Sequence, residues 1–168
     1  LLPLSNNIRA LYFADSLGCM DRRDISHVAG VLKGVWKTPL GIHAHNNRGQ
    51  ANANTISALE SGVDFLDTTV AGMGRGAGNA QTEIILSELC HLKIGSYCPK
   101  AITALSMEWF RSLQLDLGWG PSIFYHIAAQ NLVHPSYVQK MLDEFDTDTE
   151  AKVALISEIP KLAKASAF

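Results

Sequence analysis

Up to about residue 92 the chain alternates short, apolar, strand-like runs with helix-like runs, joined by only a few residues. That alternation restricts the fold to a parallel α/β sheet or barrel, because parallel strands need a crossover, usually helical, between them. "RALYFA" (9–14) reads as a mostly buried strand ending at Asp15-Ser16. "MDRRDISHVAGVLKG" then places Ile25, Val28, Ala29 and Leu32 at helical spacing and closes on Gly34. "TPLGIHAHN" is a second strand, and the alanine-rich run holding Ile56 and Leu59 is a second helix ending near Gly62. "VDFLDTTVA" is a third strand feeding the loop "GMGRGAGN", after which "AQTEIILSELCHL" sets Ile85, Leu86 and Leu89 on one helix face. Beyond this the pattern is helical throughout: "PKAITALSMEWFRSL", "PSIFYHIAAQNL", "HPSYVQKMLDEF" and "TEAKVALISEIPKLAKA". Pro121 and Pro135 sit where helices can start, and Pro160 is expected to break or kink the last one. The chain therefore divides into an α/β part, 1–97, and an all-helical part, 98–168.

Composition narrows the function classes. A net charge of −2 gives no basic surface for nucleic acid. No apolar run is long enough to cross a bilayer, and the opening "LLPLSNN" lacks the shape of a signal peptide. Cys19, Cys90 and Cys98 are odd in number and form no C-x-x-C pair, which argues against a disulfide scaffold and for a reducing, cytoplasmic setting.

Within "GIHAHNN" two histidines stand two positions apart. Side chains on a strand alternate between faces, so His43 and His45 point to one side and can share one ion, while Ala44 faces a covering helix. Neutral imidazole suits divalent transition metals, with a carboxylate and water completing such a site. The competing reading is two polar residues hydrogen-bonded at a strand end. Position favours the site, since reactive groups in parallel α/β folds gather at the carboxyl ends of strands. All three strands end in polar or glycine-rich sequence: Asp15-Ser16, His45-Asn46-Asn47, and Gly72 to Asn79. The glycine loop also matches a dinucleotide fingerprint (Gly72, Gly74, Ala77), but no strand with an acidic residue follows its helix. Its glycines more simply let backbone pass close to a substrate or metal. Asn79 then stands either at the site or as the cap of the next helix.

Together "FADSLGCM", "GIHAHNN…AN" and "AGMGRGAGNAQTE" resemble the metal-dependent pyruvate aldolases of the HMG-CoA lyase-like superfamily. Acetyl-CoA-condensing members usually carry Asp-Thr where this chain has Asp15-Ser16, and Glu-Arg where it has Arg75-Gly76. The tail "WGPSIFYHIAAQNLVHP" resembles the helical region after the barrel in an aldolase-like branch, at Trp119, Tyr125, Asn131, His134 and Pro135. The resemblance implies the second half of a TIM (β/α)8 barrel, strands five to seven with "LKIGSY" as a short eighth, followed by the helical region. The family's first-strand arginine-aspartate pair and the histidine after it have no match before Asp15. A barrel typically needs about 250 residues, so the chain, which starts at Leu1 rather than methionine, is expected to be a fragment or one part of a longer or multi-chain enzyme.

By resemblance His43 and His45 are metal ligands and Asn79 a further ligand or neighbour of one. Ser16 donates a hydrogen bond to the substrate carboxylate. Asp15 stands with Ser16 as a substrate-binding candidate that orients a ligand histidine or shapes the site, unless it is a strand-end carboxylate bonded to nearby backbone. Tyr125 is a candidate proton donor, weighed against a core aromatic beside Phe124, and His134 caps or packs a helix entry. The implied activity is cleavage of a 4-hydroxy-2-oxoacid to pyruvate and an aldehyde, using manganese foremost, or magnesium, cobalt or zinc. The implied partners are the 2-oxoacid, a second copy in a homodimer, and an acylating aldehyde dehydrogenase. Two alternatives stand beside this: a coenzyme A thioester lyase or synthase, and a non-catalytic binding module.

Overall fold

The computed structural model describes residues 8–144 and 148–165, so the opening heptapeptide, read above for signal character, lies outside them. Strands β1 (Leu11–Asp15), β2 (Leu40–Ala44) and β3 (Phe65–Asp67) form a parallel sheet in the order β1-β2-β3. Helices α1 (Arg22–Val35) and α2 (Ala51–Glu60) make the crossovers, and α3 (Thr82–His91) follows β3. Asp21 starts α1 through a capping box, accepting from the Arg23 and Asp24 amides while Asp24 accepts from its own.

Strand alternation gives the sheet two unlike faces. Leu40, Ile42 and Ala44, with Leu11, Phe13 and Leu66, pack against Ile25, Ala29, Ala58, Ile85 and Leu89 of the helices. Fully burying a side chain such as Ile25 or Ile42 contributes roughly 1.5–3 kcal/mol, so this layer is the main core of the α/β part. Among the described residues no helix layer covers the opposite face. On it Tyr12 and Phe65, both half exposed, stack at 6.1 Å across Gly41, where a Cβ would meet the Tyr12 ring. The next row on that face is Ala14, His43 and Asp67, set side by side by the register.

β3 is shorter than the nine-residue run predicts. Ala71 takes a left-handed conformation (φ 52, ψ 19), and Val70–Gly72 forms a single 3-10 turn instead of extending the strand. The eighth strand expected over "LKIGSY" does not form. Lys93, at φ 59, sits past the α3 terminus, with its N–H bonded to Cys90 O and the Ile94 N–H to Leu89 O. That pair of bonds is a Schellman cap, which takes the start of the segment into the end of α3.

The remaining elements are α4 (Pro99–Leu105), a π-turn (Ser106–Phe110), α5 (Arg111–Leu117), α6 (Ile123–Gln130), α7 (Pro135–Glu144) and α8 (Thr149–Ala165). Ala77, Tyr125, Ala128, Val133, Val138 and Ile159 form a second core that joins the glycine loop to α6, α7 and α8. Pro135 opens α7 as expected, whereas Pro121 precedes the Ser122 cap of α6. Pro160 does not end α8. Its neighbours Leu155 and Ile159 are buried, and packing on that face holds the turn that lacks a backbone donor. No helix among the described residues is long and apolar enough to cross a membrane.

Candidate metal centre

His43 lies on the uncovered face of β2, and His45 follows two residues on, just past the strand end. Their rings meet edge-on with centroids 5.0 Å apart, so the same-side placement expected of an H-x-H pair on a strand is what the structure shows. His43 Nδ1 is 3.5 Å from Asp67 Oδ2, one strand over. Sequence reading missed Asp67, because periodicity gives the face a residue occupies but not its neighbour on the next strand. A carboxylate on one imidazole nitrogen fixes ring orientation and leaves the other nitrogen for an ion. Asp67→Asn is therefore expected to weaken Mn2+ binding roughly tenfold with the fold intact, read by titration calorimetry together with circular dichroism.

The glycine loop closes over the end of β2. Asn46 N–H donates to Gly78 O at 2.8 Å and Ala80 N–H to Ala44 O at 3.1 Å, which sets Asn79 against His45 in an antiparallel bridge. The Asn79 side-chain amide donates to Met73 O at 3.1 Å, while its Oδ1 is buried with no partner. A buried carbonyl oxygen left unpaired is costly. Two imidazoles and one such oxygen at adjoining backbone positions make a donor set that fits a divalent cation. Among the described residues, no three His, Cys, Asp or Glu side chains group as a metal site.

Burial pushes the His45 imidazole down to about 4, with His43, Arg75 and His134 adding repulsion. The ring is thus neutral at pH 7 and its lone pair is available. The depressed value has a consequence for stability. Below about 6.5 the unfolded chain binds a proton that the folded chain refuses until about 4, so stability is full above that window and falls as pH drops through it. For the metal-free chain, His45→Gln is expected to remove about 1–2 kcal/mol of that acid-side loss, allowing for partial exposure. Urea unfolding at pH 7 and pH 4.5 reads the difference.

The other predicted residues divide. Ser16 is exposed beyond β1 and open to a ligand. Asp15 is buried, and its two oxygens accept the Cys19 and Met20 amides at 3.0 and 3.1 Å. Burial, partly offset by these amides, raises its carboxyl above the usual range. This geometry is that of a strand-end carboxylate bonded to nearby backbone. Tyr125 is buried in the second core, its hydroxyl donated to Gln139 and its ring where a Cβ on Gly76 would go, which fits the core reading. His134 Nδ1 accepts the Ser136 N–H and so caps the start of α7. The asparagines after His45 have work that the sequence did not reveal. Asn46 Oδ1 accepts the Ala51 amide at the start of α2, and buried Asn47 donates to Leu17 O while accepting from Ala77 N. Asn47 thus ties together the loops after all three strands.

Residues 5–112 match the HMGL-like family. The chain belongs to the HMGL-like family. Among curated relatives, a 4-hydroxy-2-oxovalerate aldolase from Carboxydothermus hydrogenoformans is 43% identical over 83 residues, 49% of this chain and 25% of the relative. The Mycobacterium tuberculosis oxaloacetate decarboxylase is 40% identical over 82 residues, 49% of this chain and 24% of the relative. The matched segment thus spans about a quarter of the length of these HMGL-like relatives. In fold, the carboxyl transferase domain of Rhizobium etli pyruvate carboxylase with pyruvate superposes with a TM-score of 0.77 at 15% identity, over 98% of this chain and 28% of that one. The α/β fold is accordingly that of part of a TIM barrel followed by helices.

Proposed function

We propose that this chain supplies the metal-holding half of a divalent-metal-dependent carbon-carbon lyase, an aldolase that cleaves a 4-hydroxy-2-oxoacid to pyruvate and an aldehyde. One observation carries the reading: His43 and His45 stand ring to ring at the end of β2, and Asn79, whose side-chain oxygen has no partner, is bridged to His45 through the backbone. His43, His45 and Asn79 would hold the ion, Mn2+ foremost, with Mg2+, Co2+ or Zn2+ as alternatives. When bound, the ion supplies Lewis-acid stabilisation of the negative charge that develops on the 2-oxoacid as its C3–C4 bond breaks. The chain's own residues do the rest. His45 stays unprotonated near neutral pH, Asp67 sets the His43 ring, and Ser16 is free to donate to the substrate carboxylate. The division at 97/98, a homodimer, an acylating aldehyde dehydrogenase partner and a cytoplasmic setting, in keeping with three free cysteines, belong to the same proposal.

Loss of carbon dioxide from a 3-carboxylated pyruvate develops the same charge on the same fragment, so the decarboxylase relative supports a second reading on the same site. The experiment is a pyruvate-release assay with Mn2+ on the protein carrying this sequence, offered 4-hydroxy-2-oxovalerate and oxaloacetate in parallel. Pyruvate from the hydroxy acid, abolished by chelator, supports the aldolase. Release from oxaloacetate alone moves the assignment to the decarboxylase, and turnover of an acyl-CoA instead moves it to the thioester enzymes. No turnover and no bound metal leaves a binding module and defeats the proposal.

A further inference from the structure

Ala71 has a left-handed backbone although it is not glycine, a conformation disfavoured for side chains with a Cβ, so its surroundings must hold it there. Both of its polar groups are held. Glu83 Oε2 on α3 accepts the Ala71 N–H at 3.1 Å, and the buried Trp119 Nε1–H donates to Ala71 O at 3.0 Å. Ser106, in the π-turn, donates to Glu83 Oε1 at 3.0 Å and fixes that carboxylate from its other side. A single-turn π segment inside a helix often marks a functional position, and here it carries the residue that reaches back to the α/β part.

The two carbonyls after Ala71 hold Asn79. Gly72 O accepts the Asn79 backbone N–H at 2.9 Å, and Met73 O accepts its side-chain amide at 3.1 Å. The Asn79 Oδ1, an acceptor, is left without a partner. We propose that Glu83 and Trp119 are positioning residues that clamp Ala71 in its left-handed conformation and thereby aim the Asn79 oxygen at the metal centre. The helical part then does more than pack against the barrel half: through Ser106 and Trp119 it sets the geometry of a ligand loop. The functional meaning of the clamp rests on the metal-lyase reading, but the clamp itself can be tested without metal.

The test is amide hydrogen exchange by NMR on the metal-free chain, following Asn79, Gly72 and Met73, with the Asp64 amide, bonded to Leu40 O, as an internal reference for unfolding. In Trp119→Phe and in Glu83→Leu, Asn79 exchange relative to Asp64 is expected to rise about fivefold or more, as for loss of one hydrogen bond. Glu83→Gln keeps an acceptor and is expected to stay close to wild type. Ala71→Gly removes the strain, so adding it to Trp119→Phe is expected to restore most of the Asn79 protection. A role for Trp119 as core filler alone would show no such rescue. Unchanged Asn79 exchange in both disruptive variants, or loosening that Ala71→Gly leaves uncorrected, overturns the clamp. If Trp119→Phe does not fold, the Glu83→Leu and Glu83→Gln pair decides by the same criterion. Mn2+ titration of the wild-type chain is the separate arm: clamp effects without metal binding defeat the lyase reading and leave the clamp standing.

Discussion

His45→Ala is expected to reduce Mn2+ affinity by more than about 100-fold, because removing only a supporting partner of a metal ligand already costs about 10–100-fold. His43→Ala is expected to match it, since a bidentate imidazole pair loses its chelate when either ring is removed. The two losses should not add in the double variant, as residues that share one ligand are coupled. His91→Ala, on the exposed last turn of α3, is expected to leave the affinity unchanged. Titration calorimetry at pH 7.5, where His45 is neutral, separates these outcomes. Equal binding by all four proteins would show that the ion sits elsewhere.

The second large effect concerns a backbone position. Gly78 has φ +83, and a Cβ there would lie 2.1 Å from Gly72 O. That oxygen is backbone and is itself holding the Asn79 N–H, so neither side can yield without opening the loop. Gly78→Ala is expected to destabilise the fold by about 2–4 kcal/mol and to lower Mn2+ affinity along with it. Gly49→Ala is the control: its φ is also positive (+71), but no atom lies within 4 Å of the added Cβ. It is expected to show only the strain of the left-handed conformation, about 1–2 kcal/mol, with metal affinity retained. Thermal denaturation and Mn2+ titration of both variants check the contrast.

What the sequence made legible follows from the range of the interactions involved. The strand–helix alternation, the α1 and α3 apolar stripes and the shared side of His43 and His45 are short-range periodicities, and each appears in the structure. Family motifs added Asn79 as a candidate ligand, which no local rule separates from a helix cap. In the sequence Asp67, Glu83, Ser106 and Trp119 are strand, helix or tail residues with no partner in view. Their contacts join positions 12 to 48 residues apart, and only register and packing create them. Two departures from the sequence expectation have local causes that sequence rules leave open. A Schellman cap absorbed the start of the eighth strand, and Ala71 cut β3 short; packing around Leu155 and Ile159 carries α8 past Pro160 without a break.

The central claim is that His43, His45 and Asn79 converge on one divalent ion, and paramagnetic broadening tests it most directly. Substoichiometric Mn2+ is added to the isotope-labelled chain, and the imidazole and side-chain amide resonances are followed by NMR. The result expected is that His43, His45 and the Asn79 amide broaden first and together, while His27, His91 and His126 stay sharp. Broadening that begins at other histidines, or that spares Asn79 when both imidazoles respond, would contradict the site as described.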